Sequence, residues 1–383
     1  MAGSAANVGL TTASPALGTV GRNPQTTATP APTQGAPFTR QSRVSEVQGF
    51  VWTGAFGGLI TQSLKAVGGY LRGLVLTINA AGGSGTTTSA VASADAPDNI
   101  IQSLILRDPL GQPIIQLDGF GLRMVDIYSG QWGMSGFQDP HVMPSYSAIA
   151  TTGNFNERLF VPLELDSAAY CALPSLNASA QPNITIQLAA AATVYSTVPT
   201  PTTPTLTITC NELFWAAPIG APDQGPPDVG SSSQWSETVS ANAIPTSTYG
   251  RLTLPRVGTY IHTLILVSRV TSTGARYDAF PTSDLAVYVD GVPWMFYSES
   301  ENQDYTYEKF GIAPITGVLP ISYRDSVQQL VSSADTHDML LPTTPATLLE
   351  LVGTFQSGGP GTLYVYTGEL FPVAGIPWTH LAQ

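Results

Sequence analysis

The sequence carries very little charge, and lysine is almost absent from it. Only 10% of its 383 residues are Asp, Glu, Lys or Arg, against ~25% in an ordinary soluble protein. Lys65 and Lys309 are the two lysines. Such a surface is unusual for a free monomer, because charge keeps molecules apart. Two explanations stay open: a GC-rich genome that favours Ala, Gly, Pro and Arg codons, or a surface largely buried against neighbouring molecules, since interfaces are depleted in Lys, Glu and Asp.

Cysteines and long apolar segments are also scarce. Cys171 and Cys210 are the two cysteines, too few for a disulfide framework or a structural zinc site, and we expect both to be small buried residues. No apolar run approaches the ~20 residues that cross a membrane. The amino terminus lacks the apolar segment of a signal peptide. The net charge of −12 argues against a globular part that grips nucleic acid.

Residues that carry catalysis or bind metals form no recognisable pattern. The G-x-S-x-G, H-E-x-x-H and phosphate-binding G-x-x-x-x-G-K-[ST] motifs do not occur. The segments 139–141 and 335–338 each combine Asp with His, and we interpret both as turns. The acidic stretch 298–304 suggests Ca²⁺, but it lacks the spaced oxygens and the glycine of an EF-hand loop, which favours a solvated loop. The sequence therefore predicts no enzyme, no cofactor and no metal site.

The amino-terminal segment differs in composition from the rest of the chain. Residues 1–45 form a Thr/Ala/Pro/Gly tract without periodicity, which predicts an extended arm. This arm contains no Asp or Glu, and its three charged residues are Arg22, Arg40 and Arg43. A basic arm thus precedes an acidic body, and we expect its arginines to contact a neighbouring subunit or an inner layer.

The carboxyl-terminal part of the chain repeats its middle. The segment 205–214 recurs at 362–371, and both read T-L-x-[I/V]-x-x-x-E-L-F at an offset of 157 residues, from Thr205 to Thr362. Upstream, 161–167 resembles 319–326 at nearly the same offset. Two matches in the same order predict one β-rich unit of about 150 residues that occurs twice.

Each unit shows short apolar strands separated by turn signals, a pattern typical of a sandwich or jelly roll. The strand that starts near Gly69 has a counterpart near Gly258, and the strand-turn-strand around Asp108 has one at 285–294. Asp-Ser pairs at 166–167 and 325–326 predict one short helix in each unit. The first unit is about 30 residues longer, and we place the excess in a long loop at 130–157.

These repeated segments resemble the double jelly-roll major capsid proteins of the tectivirus–adenovirus lineage. The resemblance covers roughly residues 46–375, and it depends on the repeated E-L-F ends, the paired Pro-to-Asp-Ser segments and the matching strands. It implies an all-β fold of two tandem eight-stranded jelly rolls, with short helices in connecting loops and an extended amino-terminal arm. The implied domains are the arm at 1–45, a first jelly roll at 46–216, a linker at 217–247 and a second jelly roll at 248–383.

The resemblance also implies a function. Such proteins form homotrimers whose six jelly rolls make a pseudo-hexagonal capsomer, and capsomers tile the icosahedral shell of a virion, here of a bacterial virus, commonly around an internal membrane. Implied partners are neighbouring capsomers, minor capsid or vertex proteins, and that membrane through the arm, with no specific nucleic acid. The loop at 130–157 would project as a tower.

Two other functions stay open. One is a virion spike or adhesin that reads a host glycan through exposed aromatic side chains. The other is a secreted glycan-active enzyme on a β-sandwich. The missing carboxylate pair and the missing secretion signal disfavour this enzyme, and the absence of a stalk or heptad tract favours a shell protein over the adhesin.

Overall fold

The chain folds into strands joined by few helices. The computed structural model describes residues 38, 42–128, 141, 143–165, 171–175, 179–218, 231–246, 248–255, 257–281, 284–323, 340–343, 346, 348–356 and 360–372. Within them no helix is long and apolar enough to span a membrane. Cys171 and Cys210 are both buried and free, as predicted.

The first half of the chain forms a sandwich of eight main strands. They are β1 (Val44–Gly54), β2 (Leu59–Ser63), β3 (Gly69–Ala81), β4 (Ile101–Arg107), β5 (Pro113–Leu117), β6 (Phe155–Pro162), β7 (Asn183–Leu188) and β8 (Thr205–Ala216). One sheet has the order β1-β8-β3-β6, and the other contains β2-β7-β4-β5. Short strands at Ser84–Thr88, Val91–Ala92, Leu173–Ser175, Tyr195–Thr197 and Thr200–Thr202 and a helical turn at Ala191–Val194 lie in its connections.

The second half repeats this order. Its main strands are β9 (Ser231–Val239), β10 (Tyr249–Leu254), β11 (Tyr260–Val270), β12 (Leu285–Val289), β13 (Val292–Tyr297), β14 (Val318–Ser322), β15 (Leu349–Thr354) and β16 (Gly361–Pro372), and Leu341–Pro342 pairs with β11. The sheets are β9-β16-β11-β14 and β10-β15-β12-β13. Every strand of the first sandwich therefore has a counterpart eight strands later, which confirms the predicted pair of eight-stranded units.

The sequence repeats fall on equivalent strands. The E-L-F segments form most of β8 and β16, and the upstream pair begins in equivalent strands, with 161–162 at the end of β6 and 319–322 in β14. The repeated glutamates Glu212 and Glu369 are fully buried. Glu212 accepts from the Lys65 backbone N–H at 2.8 Å, and Glu369 accepts from the Thr259 hydroxyl at 2.7 Å. Both donors lie just before the third strand of their sandwich. In each sandwich the equivalent carboxyl therefore holds the connection between the second and third strands.

Among the described residues, each sandwich has one main helix, which lies between its fifth and sixth strands. Helix α1 spans Gly119–Tyr128, and helix α2 spans Glu299–Phe310. The acidic stretch 298–304 was therefore wrongly predicted to be a loop: Ser298 accepts from the Glu301 N–H, and the Glu301 side chain accepts from the Ser298 N–H, a capping box that starts α2. The helices predicted after 166–167 and 325–326 lie mostly outside the described residues, and Leu173 belongs to a strand.

The segment 217–247 is more than a connection, because β9 lies in it. This strand pairs antiparallel with β16 and parallel with β5, where Trp235 is opposite Ile115 and Ser236 is opposite Gln116. Between α1 and β6 the chain runs through residues 129–154, whereas 311–317 join α2 to β14. The domain boundaries and the projection of this longer segment as a tower stay predictions.

Candidate functional site: the joint between the two sandwiches

The parallel pairing of β5 with β9 joins two sheets into one. The resulting sheet has the order β14-β11-β16-β9-β5-β4-β7-β2, so half of it belongs to each sandwich. We call the contact region between the sandwiches the joint, and define it by β5 and α1 on one side and by β9, β11 and β16 on the other. It fixes how the two units sit against each other.

The second sandwich contributes apolar side chains to the core of the first. Trp235, Ile265, Val267 and Tyr366 pack in the same cluster as the interior of the first sandwich. Their neighbours in sequence, such as Leu264 and Leu266, pack in the second core, because successive side chains of a strand point to opposite faces. The sheet β9-β16-β11-β14 is thus buried on both faces. Each such large side chain contributes about 1.5–3 kcal/mol when removed from water.

Helix α1 fills the joint from the first sandwich. Nine of its ten residues are buried, and the sequence GFGLRMVDIY has glycine at its first and third positions, where glycine weakens a helix. A Cβ on Gly121 would lie 2.5 Å from Cε1 of Tyr366. Glycine is therefore required at Gly121 for the helix to approach β16 closely.

Ion pairs across the joint complement the apolar contact. Asp95 accepts from Arg269 at 2.5 Å and from Arg276 at 2.7 Å. Both guanidinium groups lie over the ring of Phe120, at 4.8 and 5.2 Å from its centroid. The first sandwich thus supplies the acid and the ring, and the second supplies the two cations.

A second polar group lies deeper in the joint. The Tyr366 hydroxyl donates to Asp118 at 3.2 Å, and the Asp118 backbone N–H donates to Glu237 at 3.1 Å. Burial raises the pKa of Asp118, and burial together with the charge of Asp118 raises the pKa of Glu237 to about 7. These carboxyls hold protons more strongly in the folded chain than in water.

A buried cluster around Arg123 anchors α1 to its own sandwich. Arg123 pairs with Glu157, with Asp98 at 3.1 Å and with Asp126 at 3.5 Å. Burial raises the pKa of Glu157 to about 8 against the opposing charge of Arg123. Burial alone would raise the pKa of Asp98, but the hydrogen bond to His141 and the charge of Arg123 outweigh it and lower that pKa.

This cluster includes three groups that could serve as metal ligands. One donor atom each of Asp98, His141 and Glu157 lies within 4.8 Å of the others. The hydrogen bond to Asp98 raises the pKa of His141, although burial opposes it. The guanidinium of Arg123 bonds both carboxylates of this group, Asp98 and Glu157, and already supplies the positive charge that a metal would bring. We interpret the cluster as an ion-pair network, and it places His141, predicted to lie in a turn, beside α1.

Of the three arginines predicted to make inner-face contacts, the structure describes Arg43. Arg22, Arg40 and the segment 335–338 are outside the described residues. Arg43 is exposed just before β1, and its carbonyl accepts from the Ala216 N–H at 2.9 Å. The joint itself escaped the sequence-based prediction, because Asp95 and its arginines are far apart in the chain.

No family model matches the sequence, and no curated protein matches it. Several solved structures match its fold. The structure of Sulfolobus Turreted Icosahedral Virus includes a chain with 15% identity and a TM-score of 0.63, over 89% of this chain and 95% of that one. The PBCV-1 virus capsid gives 13% identity and 0.62, over 87% and 95%. The major capsid protein of bacteriophage PM2 gives 11% identity and 0.50, over 87% and 99%.

The chain is a double jelly roll. The strand orders β1-β8-β3-β6 and β9-β16-β11-β14, each opposed by its second sheet, agree with the predicted fold. The double jelly roll extends over nearly the whole length of these capsid chains, and its joint is the feature that sets the two jelly rolls side by side.

Proposed function

We propose that this double jelly roll is the major capsid protein of an icosahedral virion. It would act as a homotrimer whose six jelly rolls form a pseudo-hexagonal capsomer. The observation that carries the proposal is the extent of the fold match: structures from three different viruses match 87–89% of this chain and 95–99% of their own chains.

The joint suits a shell protein physically. A subunit that repeats many times in a shell must keep its shape, because the contacts between copies form a closed assembly only at defined angles. Here a shared sheet, a doubly buried sheet and ion pairs from Asp95 to two arginines all resist rotation of one jelly roll against the other. The low content of charged residues, 10%, suits a surface that neighbouring copies cover.

The amino-terminal arm would contact the inside of the shell. Phe38 packs edge-on against Tyr70 and Trp215, with ring centroids 5.5 and 6.1 Å away. The arm therefore leaves the first jelly roll where β3 begins and β8 ends. From there Arg22, Arg40 and Arg43 would reach neighbouring capsomers, vertex proteins or an internal membrane, whose anionic headgroups attract basic segments at about 1 kcal/mol per residue.

The proposal is tested by imaging the purified protein by electron microscopy and by assaying glycan binding. A particle with a hexagonal outline and three-fold symmetry is the expected result. A monomer that binds immobilised glycans and never forms such particles would overturn the proposal and support the spike or adhesin.

The arm is tested separately with a variant that combines Arg22→Gln, Arg40→Gln and Arg43→Gln. We expect this variant to form the same hexagonal particle but to lose sedimentation with anionic vesicles. If the variant and the unaltered chain sediment equally with anionic vesicles, membrane binding through these arginines is contradicted.

A further inference from the structure

The strand pairing that joins the two jelly rolls ends at two acidic side chains. Strands β5 and β9 pair in parallel at two positions, the second of which sets Ser236 opposite Gln116. Just beyond it, the Asp118 backbone N–H donates to the side-chain carboxyl of Glu237 at 3.1 Å. A titratable side chain therefore takes the place of a backbone acceptor at the end of the contact between the two halves of the chain.

Asp118 lies where three elements of the joint meet. It directly follows β5, and its carboxylate accepts from the Gly121 N–H at the start of α1, at 2.5 Å. The hydroxyl of Tyr366, on β16, donates to the same carboxylate oxygen at 3.2 Å. Helix α1 belongs to the first jelly roll and β16 to the second. A change of charge at Asp118, or at Glu237 beside it, therefore acts on the contact between the jelly rolls.

The charged groups of this region balance only when the pair of Asp118 and Glu237 holds one proton. The guanidiniums of Arg269, on β11, and Arg276, which follows β11, both bind Asp95, which lies ahead of β4. Arg269 also attracts both members of the pair. Three carboxyls thus face two cations. The region has one excess negative charge when the whole pair is ionised, and it is neutral when the pair keeps a proton.

Burial makes the second ionisation costly. It raises the pKa of Asp118, and together with the charge of Asp118 it raises the pKa of Glu237 from 4.5 to about 7. Burial also raises the pKa of Tyr366, so its hydroxyl stays a neutral donor. Two carboxyls that interact this strongly titrate as a pair. Between pH 4.5 and about 7 the closed joint holds a proton that an opened joint releases, so its stability falls as pH rises through this window.

We propose that Asp118 and Glu237 form a proton-dependent lock of the joint. With one proton on the pair, β9 and β16 stay closed on β5 and α1. When this proton is lost in neutral to alkaline solution, the two carboxylates repel each other across the joint, and the contact between β5 and β9 opens more often. The lock lies within one chain, so it acts whether or not copies associate, and it adds a response to pH that the capsid role proposed above does not require.

The position of the pair suits such a lock, because a group that responds to pH must exchange its proton with solvent. Asp118 and Glu237 are only half-buried, at the end of the paired strands. Glu157, the other carboxyl with a strongly raised pKa, is fully buried under α1 and belongs to the first jelly roll alone. The pair is therefore the titrating group that both reaches solvent and spans the joint.

Amide hydrogen exchange in β9 at pH 5 and pH 8 tests the lock, with rates expressed as protection factors so that the intrinsic effect of pH on exchange cancels. In the unaltered chain we expect protection of β9 to fall about tenfold or more between these values. Glu237→Gln keeps an acceptor for the Asp118 N–H and cannot ionise, so the fall should shrink to less than about threefold. Glu157→Gln is the matched control, since it removes a titrating carboxyl outside the contact of β5 with β9, and it should retain the fall.

Thermal unfolding separates the lock from a merely structural role. Because glutamine carries no charge, Glu237→Gln should unfold at a higher temperature than the unaltered chain at pH 8 and at nearly the same temperature at pH 5. Asp118→Asn, which keeps an oxygen for the Gly121 N–H, should give the same pattern. Lower midpoints of both variants at pH 8 would contradict the proposal. Equal protection of β9 at the two pH values in the unaltered chain, or an undiminished fall in Glu237→Gln, would overturn it as well.

Discussion

Helices α1 and α2 occupy the same position in their jelly rolls, between the fifth and sixth strands. Yet α1 is mostly apolar, whereas α2 is mostly polar and charged. Helix α1 reads GFGLRMVDIY and is buried at nine of ten residues, whereas α2 reads ESENQDYTYEKF and exposes Asp304, Tyr307 and Glu308. The difference follows from what lies over each helix. The second jelly roll covers α1, and within one copy no described element covers the exposed face of α2.

The comparison shows that the same topology does not need the same local signals. Helix α1 has poor intrinsic propensity and is held by tertiary contacts at Gly121 and Arg123. Helix α2 is held by a capping box from Ser298 to Glu301, which acts without a neighbour. Four substitutions test this contrast.

The largest effect is expected when α1 loses its ionic anchor. Arg123→Ala leaves Asp98 and Glu157 buried without their cation, and breaking a buried ion pair by removing one partner costs about 3–5 kcal/mol. Urea unfolding measures the loss. Glu308→Ala on exposed α2 is the control, and we expect it to change stability by less than ~0.5 kcal/mol. Equal effects of the two substitutions would mean that Arg123 does not hold α1.

The close approach of α1 to β16 is tested by Gly121→Ala. The added Cβ meets Tyr366 and the Asp118 carboxylate at 2.5 and 2.8 Å, and overpacking of this kind costs about 1–3 kcal/mol. Alanine is the better helix former, so the helix alone would gain stability. A lower midpoint of thermal unfolding therefore indicates that packing in the joint decides the outcome, and an unchanged or higher midpoint would contradict the joint described here.

The cluster under α1 predicts a dependence on pH. Glu157 has a pKa of 4.5 in the unfolded chain and about 8 in the folded chain. Between these values the folded state holds a proton that the unfolded state has lost, so stability falls as pH rises across this window and levels off above it. Glu157→Gln removes the titrating group and keeps an oxygen for Arg123, and unfolding measured from pH 5 to 8 should show a shallower decline. An identical slope in both proteins would show that Glu157 is ionised in the folded chain throughout.

The smallest effect is expected at the cap of α2. Ser298→Ala removes the side-chain acceptor for the Glu301 N–H and should destabilise the chain by about 1 kcal/mol. The loss should appear as faster amide exchange at the start of α2 and nowhere in α1. Ser298→Asp, which keeps an acceptor, is the matched control and should retain the slow exchange.

Periodicity and repetition predicted much of the fold. The E-L-F repeat identified β8 and β16, its upstream partner identified β6 and β14, and the turn at Asp108 identified the β4–β5 hairpin. Strand β9 was taken for part of a linker, because Ser231–Val239 is rich in serine and its strand character comes from its neighbours β16 and β5. Helix α1 is capped by Asp118, whose carboxylate accepts from the Gly121 N–H at 2.5 Å, and this cap residue was missed because the glycines that follow it disfavour a helix. The cap of α2 was visible as Ser298-x-x-Glu301, but the acidic composition suggested a loop.

The joint could not be predicted from the sequence, for a different reason. Asp95 meets Arg269 and Arg276 only after two units have folded and their sheets have paired, and no local pattern encodes such a contact. One signal was present in the repeat itself. Where β8 has Thr207 and Thr209, β16 has Tyr364 and Tyr366, and this replacement of threonine by tyrosine at equivalent positions marks the face that became buried.

Amide hydrogen exchange in α1 and α2 tests the central claim most directly. It is compared between the unaltered chain and the Gly121→Ala variant. If packing in the joint holds α1, we expect α1 to exchange faster in the variant, and α2 to exchange at the same rate in both proteins. Equal exchange of α1 in both proteins would contradict the account.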